Sequence, residues 1–196
     1  LYVRPANPSF VEVPHSPILS GLSELTVEAR INREPLGKGY FPIISKHDFG
    51  NNGEFGLYLK SNSPSIRMVL INENGQRIDV DRPGYPTLGS YSHVAATYDG
   101  ENVIIYLNGM EVYSEPFSGR LVSVDSINLM IGRDSHGHSF YGAISNVRLW
   151  GVARTQQEIE DNMYGSVPGW TTGLIGQWAL NEMEGLVAHD TSRNQL

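Results

Sequence analysis

The chain has 196 residues, of which 40% are hydrophobic and 18% charged, with 21 glycines, 11 prolines and no cysteine. This describes a turn-rich folded protein without disulfides or zinc–thiolate sites. A formal net charge of -7 and a pI near 5.3 argue against the clustered positive surface that neutralises phosphates, so nucleic acid is not an expected partner. No apolar run approaches the ~18 residues of a membrane-spanning helix, so membrane insertion is not expected either. Residues 1–196 contain no internal repeat, low-complexity tract or linker, which predicts one domain.

In chain order, residues 10–13 form a short alternating segment ended by Pro14. Residues 25–31 alternate Leu25, Val27, Ala29 and Ile31 with Thr26, Glu28 and Arg30, the pattern of a half-buried strand. Residues 41–45 and 54–60 are further strands, separated by a loop over 47–53 crowded with residues that tolerate left-handed backbone. Residues 65–72 and 76–80 flank Asn74-Gly75, which predicts a type I′ hairpin because both central residues need positive φ. The pattern is clearest from His93, where segments 93–98, 102–107 and 110–114 are joined by Asp99-Gly100 and Asn108-Gly109. In the middle segment Val103, Ile105 and Leu107 face one way and Ile104 and Tyr106 the other. Apolar residues on both sides place this strand inside a sheet rather than at an edge.

Residues 127–132 and 141–150 continue the strands. Thr155 followed three residues later by Glu158 is a capping box, and Ile159 with Met163 is an i,i+4 apolar pair, which predicts a short surface helix. Residues 174–180 return to strand, and a last strand is expected over 186–189. The fold class is therefore all-β, an antiparallel β-sandwich with one short surface helix.

Several segments carry a family pattern in order. They are Phe10-Val11-Glu12-Val13-Pro14, Ser92-His93-Val94-Ala95-Ala96-Thr97-Tyr98-Asp99-Gly100, Ile105-Tyr106-Leu107-Asn108-Gly109, Ile131-Gly132-Arg133, Val147-Arg148-Leu149-Trp150, Gln177-Trp178-Ala179-Leu180-Asn181-Glu182 and Asp190-Thr191-Ser192. With them, nearly the whole chain resembles the laminin G-like members of the concanavalin A-like lectin/glucanase superfamily of jelly rolls. The resemblance implies two antiparallel sheets packed face to face, one of them curved into a concave surface. It also implies calcium as a cofactor near the C-terminal end, where Asn181, Glu182, Asp190 and Asn194 are the candidate metal ligands. Asp190-Thr191-Ser192 equally reads as an Asx-type turn that satisfies its own backbone. The chain departs from the family pattern at Ala6-Asn7-Pro8-Ser9, Ser145-Asn146 and Arg193.

Catalysis by paired carboxylates would rest on Asp79 and Asp81, which end a hairpin beside Arg82-Pro83-Gly84 and read as turn acids. His136-Gly137-His138, with Asp134 as a third ligand, is a metal reading set against that of a solvated loop. No nucleophile elbow or phosphate loop is present. His93 reads as packed within its strand, and Trp150 and Trp178 as core. Carbohydrate recognition needs an aromatic platform and planar hydrogen-bonding groups. The loops supply Asp48, Asn51, Asn52, Tyr85, Arg133, Asp134, His136 and Trp170 as ligand-binding candidates. The resulting expectation is a noncatalytic, lectin-like, calcium-assisted module for an extracellular glycan, one domain of a larger secreted or cell-surface protein. A protein-interaction or adhesion domain and a polysaccharide hydrolase or lyase are the alternatives.

Overall fold

The computed structural model describes residues 1–3, 9–35, 37–47, 53–61, 65–84, 86–182 and 186–196. The strands in chain order are β1 (Tyr2–Val3), β2 (Val11–Val13), β3 (Leu25–Arg33), β4 (Tyr40–His47), β5 (Gly53–Lys60), β6 (Ser65–Ile71), β7 (Arg77–Pro83), β8 (Ser92–Tyr98), β9 (Asn102–Leu107), β10 (Met110–Pro116), β11 (Leu129–Ile131), β12 (Gly142–Trp150) and β13 (Leu174–Trp178). A 3-10 turn spans Pro17–Leu19 and a helix, α1, spans Gln156–Asn162.

The strands pair into two antiparallel sheets. One has seven strands in the order β1-β12-β3-β8-β9-β10, with β13 also on β12, and the other has six in the order β2-β11-β4-β5-β6-β7. The inner faces interlock as the residue pattern requires. Leu25, Val27, Ala29 and Ile31 of β3 meet Phe55, Leu57 and Leu59 of β5 and Leu70 of β6 in one core, all without solvent exposure. Ala29 apart, each of these side chains stabilises the fold by about 1.5–3 kcal/mol through burial. Trp178 belongs to this core, whereas Trp150, also fully buried, packs with Val167 and Leu174 in a satellite cluster.

The outer face of β3 is not solvated as the alternation suggested, because Thr26 and Glu28 are fully buried too. The cover comes from the chain between β12 and α1, where Thr26 Oγ1 donates to the Val152 carbonyl and accepts from the Arg154 amide, and from the side chains around Glu28; α1 packs alongside, over β8 and β9. Thr155 and Glu158 close the capping box, and Ile159 packs on Ala95 of β8 and Tyr106 of β9. That contact also explains the two apolar faces of β9, which lies one strand in from the edge. Beside the helix, Glu28 accepts from Trp150 Nε1 at 2.8 Å, lies 2.9 Å from His93 Nε2, and pairs with Arg148 at 2.9 Å. Arg148 in turn donates to the carbonyls of Asn162, the last residue of α1, and of Gly165 just beyond it.

Other sequence expectations shift. At Asn108-Gly109 both residues have positive φ, 51° and 81°, as a type I′ turn demands, and Leu107 pairs with Met110. At Asn74-Gly75 only the glycine has positive φ, so the type I′ reading is corrected: the Asn72 carboxamide oxygen accepts from the Asn74 and Gln76 amides and closes a longer turn. Residues 186–189 form no strand, since Leu186 and Val187 are exposed with no apolar face to join; a single bridge joins Trp178 to Asp190 instead. The strand expected over 127–132 shortens to β11, and the two-residue β1 is too brief to show alternation.

Two expectations follow for stability. Burial alone would raise the Glu28 carboxyl, but hydrogen bonds from His93 and Trp150 and the Arg148 charge outweigh it and hold the group below its ordinary range. A depressed native value means that the contribution is complete above the unfolded carboxylate range and lost as pH falls through the native one. Urea unfolding should therefore show Glu28→Ala destabilised by about 3–5 kcal/mol near neutral pH, because Arg148 is left buried and unpaired, and the gap between wild type and Glu28→Gln should shrink towards acid pH. Gly109→Ala should cost about 1–2 kcal/mol, since the left-handed position disfavours any Cβ and this one would meet Glu160 Cγ at 2.7 Å.

Candidate functional site

Gly132, at φ 80°, ends β11 and turns the chain into the loop 133–138, which Arg133 and Ser139 close by a bridge. Asp134 is 1% exposed. Its Oδ1 accepts from the amides of His136 at 3.0 Å and His138 at 2.9 Å, and its Oδ2 lies 2.8 Å from His138 Nδ1. The carboxylate expected to meet a ligand therefore organises the loop from within. A charge-assisted acceptor with several donors fixes a loop more firmly than neutral turn contacts do.

The side chains around Asp134 are presented outward. The Arg133 guanidinium sits 4.8 Å from the centroid of the Phe10 ring. The His136 and His138 rings lie 25° from parallel, Tyr40 meets His138 edge-on, and the Arg67 guanidinium covers Tyr40 at 4.9 Å. A row of planar groups thus crosses the outer face of the six-stranded sheet. Ser135 Oγ donates to the His47 carbonyl at the end of β4, which ties the loop to that strand. A groove of about 370 Å³ opens beside it, lined among others by Phe10, Glu12, Asn128, Met130, Arg133 and Ser135. It offers a fixed cation, a carboxylate and an amide, a donor and acceptor set suited to hydroxyl-rich ligands.

Of the sequence candidates, Arg133, Asp134 and His136 are brought together here. Asp48, Asn51, Asn52 and Tyr85 lie outside the described residues. Trp170 is 77% exposed and belongs elsewhere, in the loop between α1 and β13 beside the seven-stranded sheet. Phe10, Tyr40 and Asn128 were not singled out, and His138 was read only as a metal ligand beside His136. Phe10 and Tyr40 come from segments far from the 133–138 loop in sequence, and no local pattern marks them as its neighbours. Among the described residues no three His, Asp or Glu side chains converge as a metal centre at His136 and His138.

The C-terminal quartet fits a cation poorly as arranged. Asp190 Oδ1 accepts from the Gln177 and Ser192 amides and Oδ2 from Ser192 Oγ and the Leu196 amide, so four donors already fill the carboxylate. Asn194 donates its amide to the carbonyls of Leu174 and Ile175, and Glu182 accepts from the His189 amide. These oxygens hold the chain end rather than a shared cage of the kind calcium requires. Asp79 and Asp81 are likewise engaged, Asp79 with Arg67 at 2.6 Å and Arg77 at 2.9 Å, and Asp81 with Lys60 at 2.9 Å. Burial would raise the Asp79 carboxyl, but hydrogen bonds from Arg77 and Arg67 outweigh it and hold the group below its ordinary range.

Residues 6–160 match the Laminin_G_3 family, described as the concanavalin A-like lectin/glucanases superfamily. Among curated proteins, mouse pappalysin-1 is 39% identical over 90 residues, 44% of this chain and 5% of its own length. Among solved structures, one titled a putative carbohydrate binding protein from Bacteroides ovatus superposes with a TM-score of 0.74 at 26% identity, covering 93% of this chain and 53% of that one. The Ruminococcus gnavus IT-sialidase CBM40 bound to α2,3 sialyllactose shares the fold, with a TM-score of 0.61 at 15% identity over 81% of this chain and 97% of that one. The chain thus spans a small part of pappalysin-1 and about half of the Bacteroides protein. With its family match running across both sheets and into α1, this chain belongs to the laminin G-like branch of the concanavalin A-like lectin/glucanase superfamily.

Proposed function

We propose that this domain is a noncatalytic module of a secreted or cell-surface protein that recognises a glycan through the outer face of the six-stranded sheet. The observation that carries the reading is the buried Asp134 carboxylate, whose hydrogen bonds to the His136 and His138 amides hold the 133–138 loop in one shape. A loop fixed in advance loses little entropy on binding, so its groups are worth more to a ligand. Arg133 supplies a planar fork for a sugar carboxylate or neighbouring hydroxyls, and the imidazole row supplies faces and ring nitrogens. The likeness to a putative carbohydrate binding protein from Bacteroides ovatus and to a Ruminococcus gnavus module bound to α2,3 sialyllactose supports the same ligand class.

The noncatalytic part rests on the acids of this face. Glycoside hydrolysis needs one carboxyl kept protonated opposite another that is ionised. Asp79 is held in its charged form between two arginines, and Asp81 pairs with Lys60. Both serve as ion-pair partners across β5, β6 and β7.

A glycan array followed by isothermal titration tests the reading. Arg133→Ala and His136→Ala should each weaken the best array ligand about tenfold or more, equal to ~1.4 kcal/mol. Asp134→Ala should weaken it comparably although its carboxylate is buried, because the loop loses its internal acceptor. Chelation with EDTA should leave affinity unchanged, given the filled carboxylate of Asp190; a large loss would restore calcium to the site. An array with no bound glycan would overturn the proposal.

A further inference from the structure

The opposite side of the sandwich carries a second groove, of about 400 Å³, beside β12 and β13. Its polar lining is Asn146, Ser166, Gln177, Asn181 and Thr191, and none of the residues that line it is charged. Its volume falls in the range of small-ligand sites, ~300–1,000 Å³. Three observations mark it as built for a ligand.

The first is an exposed indole on a fixed loop. Gln177 is almost buried, and its amide clamps Val167 from both sides, accepting from the Val167 amide and donating to its carbonyl, each at 3.1 Å. Gly169 lies so close to Thr191 that a Cβ there would sit 2.3 Å from the Thr191 carbonyl oxygen, and its own carbonyl accepts from the Arg193 amide. Trp170 follows directly, on a loop held at both ends, yet 77% of it is open to solvent. An indole left open on a loop fixed at both ends offers an apolar face on which a ligand can stack.

The second is a pair of side-chain amides that make no hydrogen bond among the described residues. Asn146 adopts a left-handed backbone, φ 49°, a conformation with a cost for any residue bearing a Cβ. Its backbone amide donates to the Ala179 carbonyl, while its side chain and that of Asn181 make no hydrogen bond to a described group. Side-chain amides facing a groove provide both a donor and an acceptor to hydroxyls.

The third is the far rim. Tyr164 adjoins the groove residue Gly165 and is 67% exposed; it shares the Arg30 guanidinium with Tyr91, the two ring centroids lying 5.6 and 5.1 Å from the charge. Arg30 steadies both rings through cation–π contact. An exposed indole beside the groove, paired amides on its lining and no charged residue among the lining suit an uncharged sugar chain, which stacks by its C–H faces and hydrogen-bonds by its hydroxyls.

The geometry points to a second binding site, on the helix side of the domain, for a neutral oligosaccharide that stacks on Trp170 and hydrogen-bonds to Asn146 and Asn181. It goes beyond the loop site on the other sheet and does not depend on it.

Tryptophan fluorescence reads this site selectively, because Trp150 and Trp178 are fully buried and acrylamide quenching reports Trp170. The domain is titrated with cellohexaose, xylohexaose, maltohexaose, mannohexaose and arabinohexaose. At least one should protect Trp170 saturably, cutting the quenching constant by about half or more. Asn146→Gly removes the amide while suiting the left-handed backbone, so it should keep its thermal midpoint and lose about tenfold or more in affinity, as should Asn181→Ala. Arg133→Ala should bind as wild type does. The inference is overturned if no hexaose protects Trp170, if Asn146→Gly and Asn181→Ala protect it undiminished, or if Arg133→Ala abolishes the protection. Failure of the loop site would instead leave these titrations unchanged while the array ligand ignores Arg133→Ala.

Discussion

Glu28 lies buried at the middle of the seven-stranded sheet, and its carboxylate joins elements far apart in the chain. Through His93 it ties β3 to β8, through Trp150 and Arg148 it ties β3 to β12, and Arg148 extends the link to the carbonyls of Asn162 and Gly165. A buried ion pair contributes little net stability once desolvation is counted, but removing one partner is costly. Its consequence here is positional. The chain leaving α1 is held on the sheet by two hydrogen bonds from one guanidinium, and the loop that carries Trp170 starts from that anchorage.

The two outer faces of the sandwich are therefore unlike. On the seven-stranded sheet Ile159 seals α1 over Ala95 and Tyr106, leaving an uncharged groove towards β13. On the six-stranded sheet no helix intervenes among the described residues, and the face carries charged pairs: Arg67 and Arg77 on Asp79, Lys60 on Asp81. Gly56 belongs to the same economy of space, since a Cβ there would strike the Tyr58 ring at 2.4 Å. The Tyr58 hydroxyl is then free to reach Ser45 at 2.8 Å across the strand pair. Fold and site chemistry are linked through what covers each sheet.

Where local rules govern, the sequence was legible. Asn108-Gly109 forms the type I′ turn because both residues occupy the left-handed region, and Thr155 with Glu158 forms the capping box because both partners lie within one helical turn. Legibility fails where a distant segment decides. Thr26 and Glu28 look solvent-facing by alternation, yet the chain that buries them comes some hundred residues later. The same limit governs the candidate site. Trp170 could be read as exposed because Pro168-Gly169 marks a loop, whereas the neighbourhood of Arg133, Phe10 and Tyr40 arises from β11, the approach to β2 and the start of β4, which no local motif connects.

Acidic residues show most sharply why composition alone misleads about function. Asp134 and Asp190 both read as ligand or metal groups, and in both cases backbone amides, with the His138 ring at Asp134 and the Ser192 hydroxyl at Asp190, occupy the carboxylate. A carboxylate with several donors is a strong local constraint, most of all for the buried Asp134, because leaving buried amides unpaired would cost ~1–3 kcal/mol each, and less so for the half-buried Asp190. Each acid therefore rigidifies a loop whose neighbours face solvent: Arg133 and His136 around Asp134, and the Thr191–Arg193 segment that docks Gly169 around Asp190. Recognition on this scaffold then falls to neutral, aromatic and cationic groups held at the surface, with the carboxylates beneath setting their geometry.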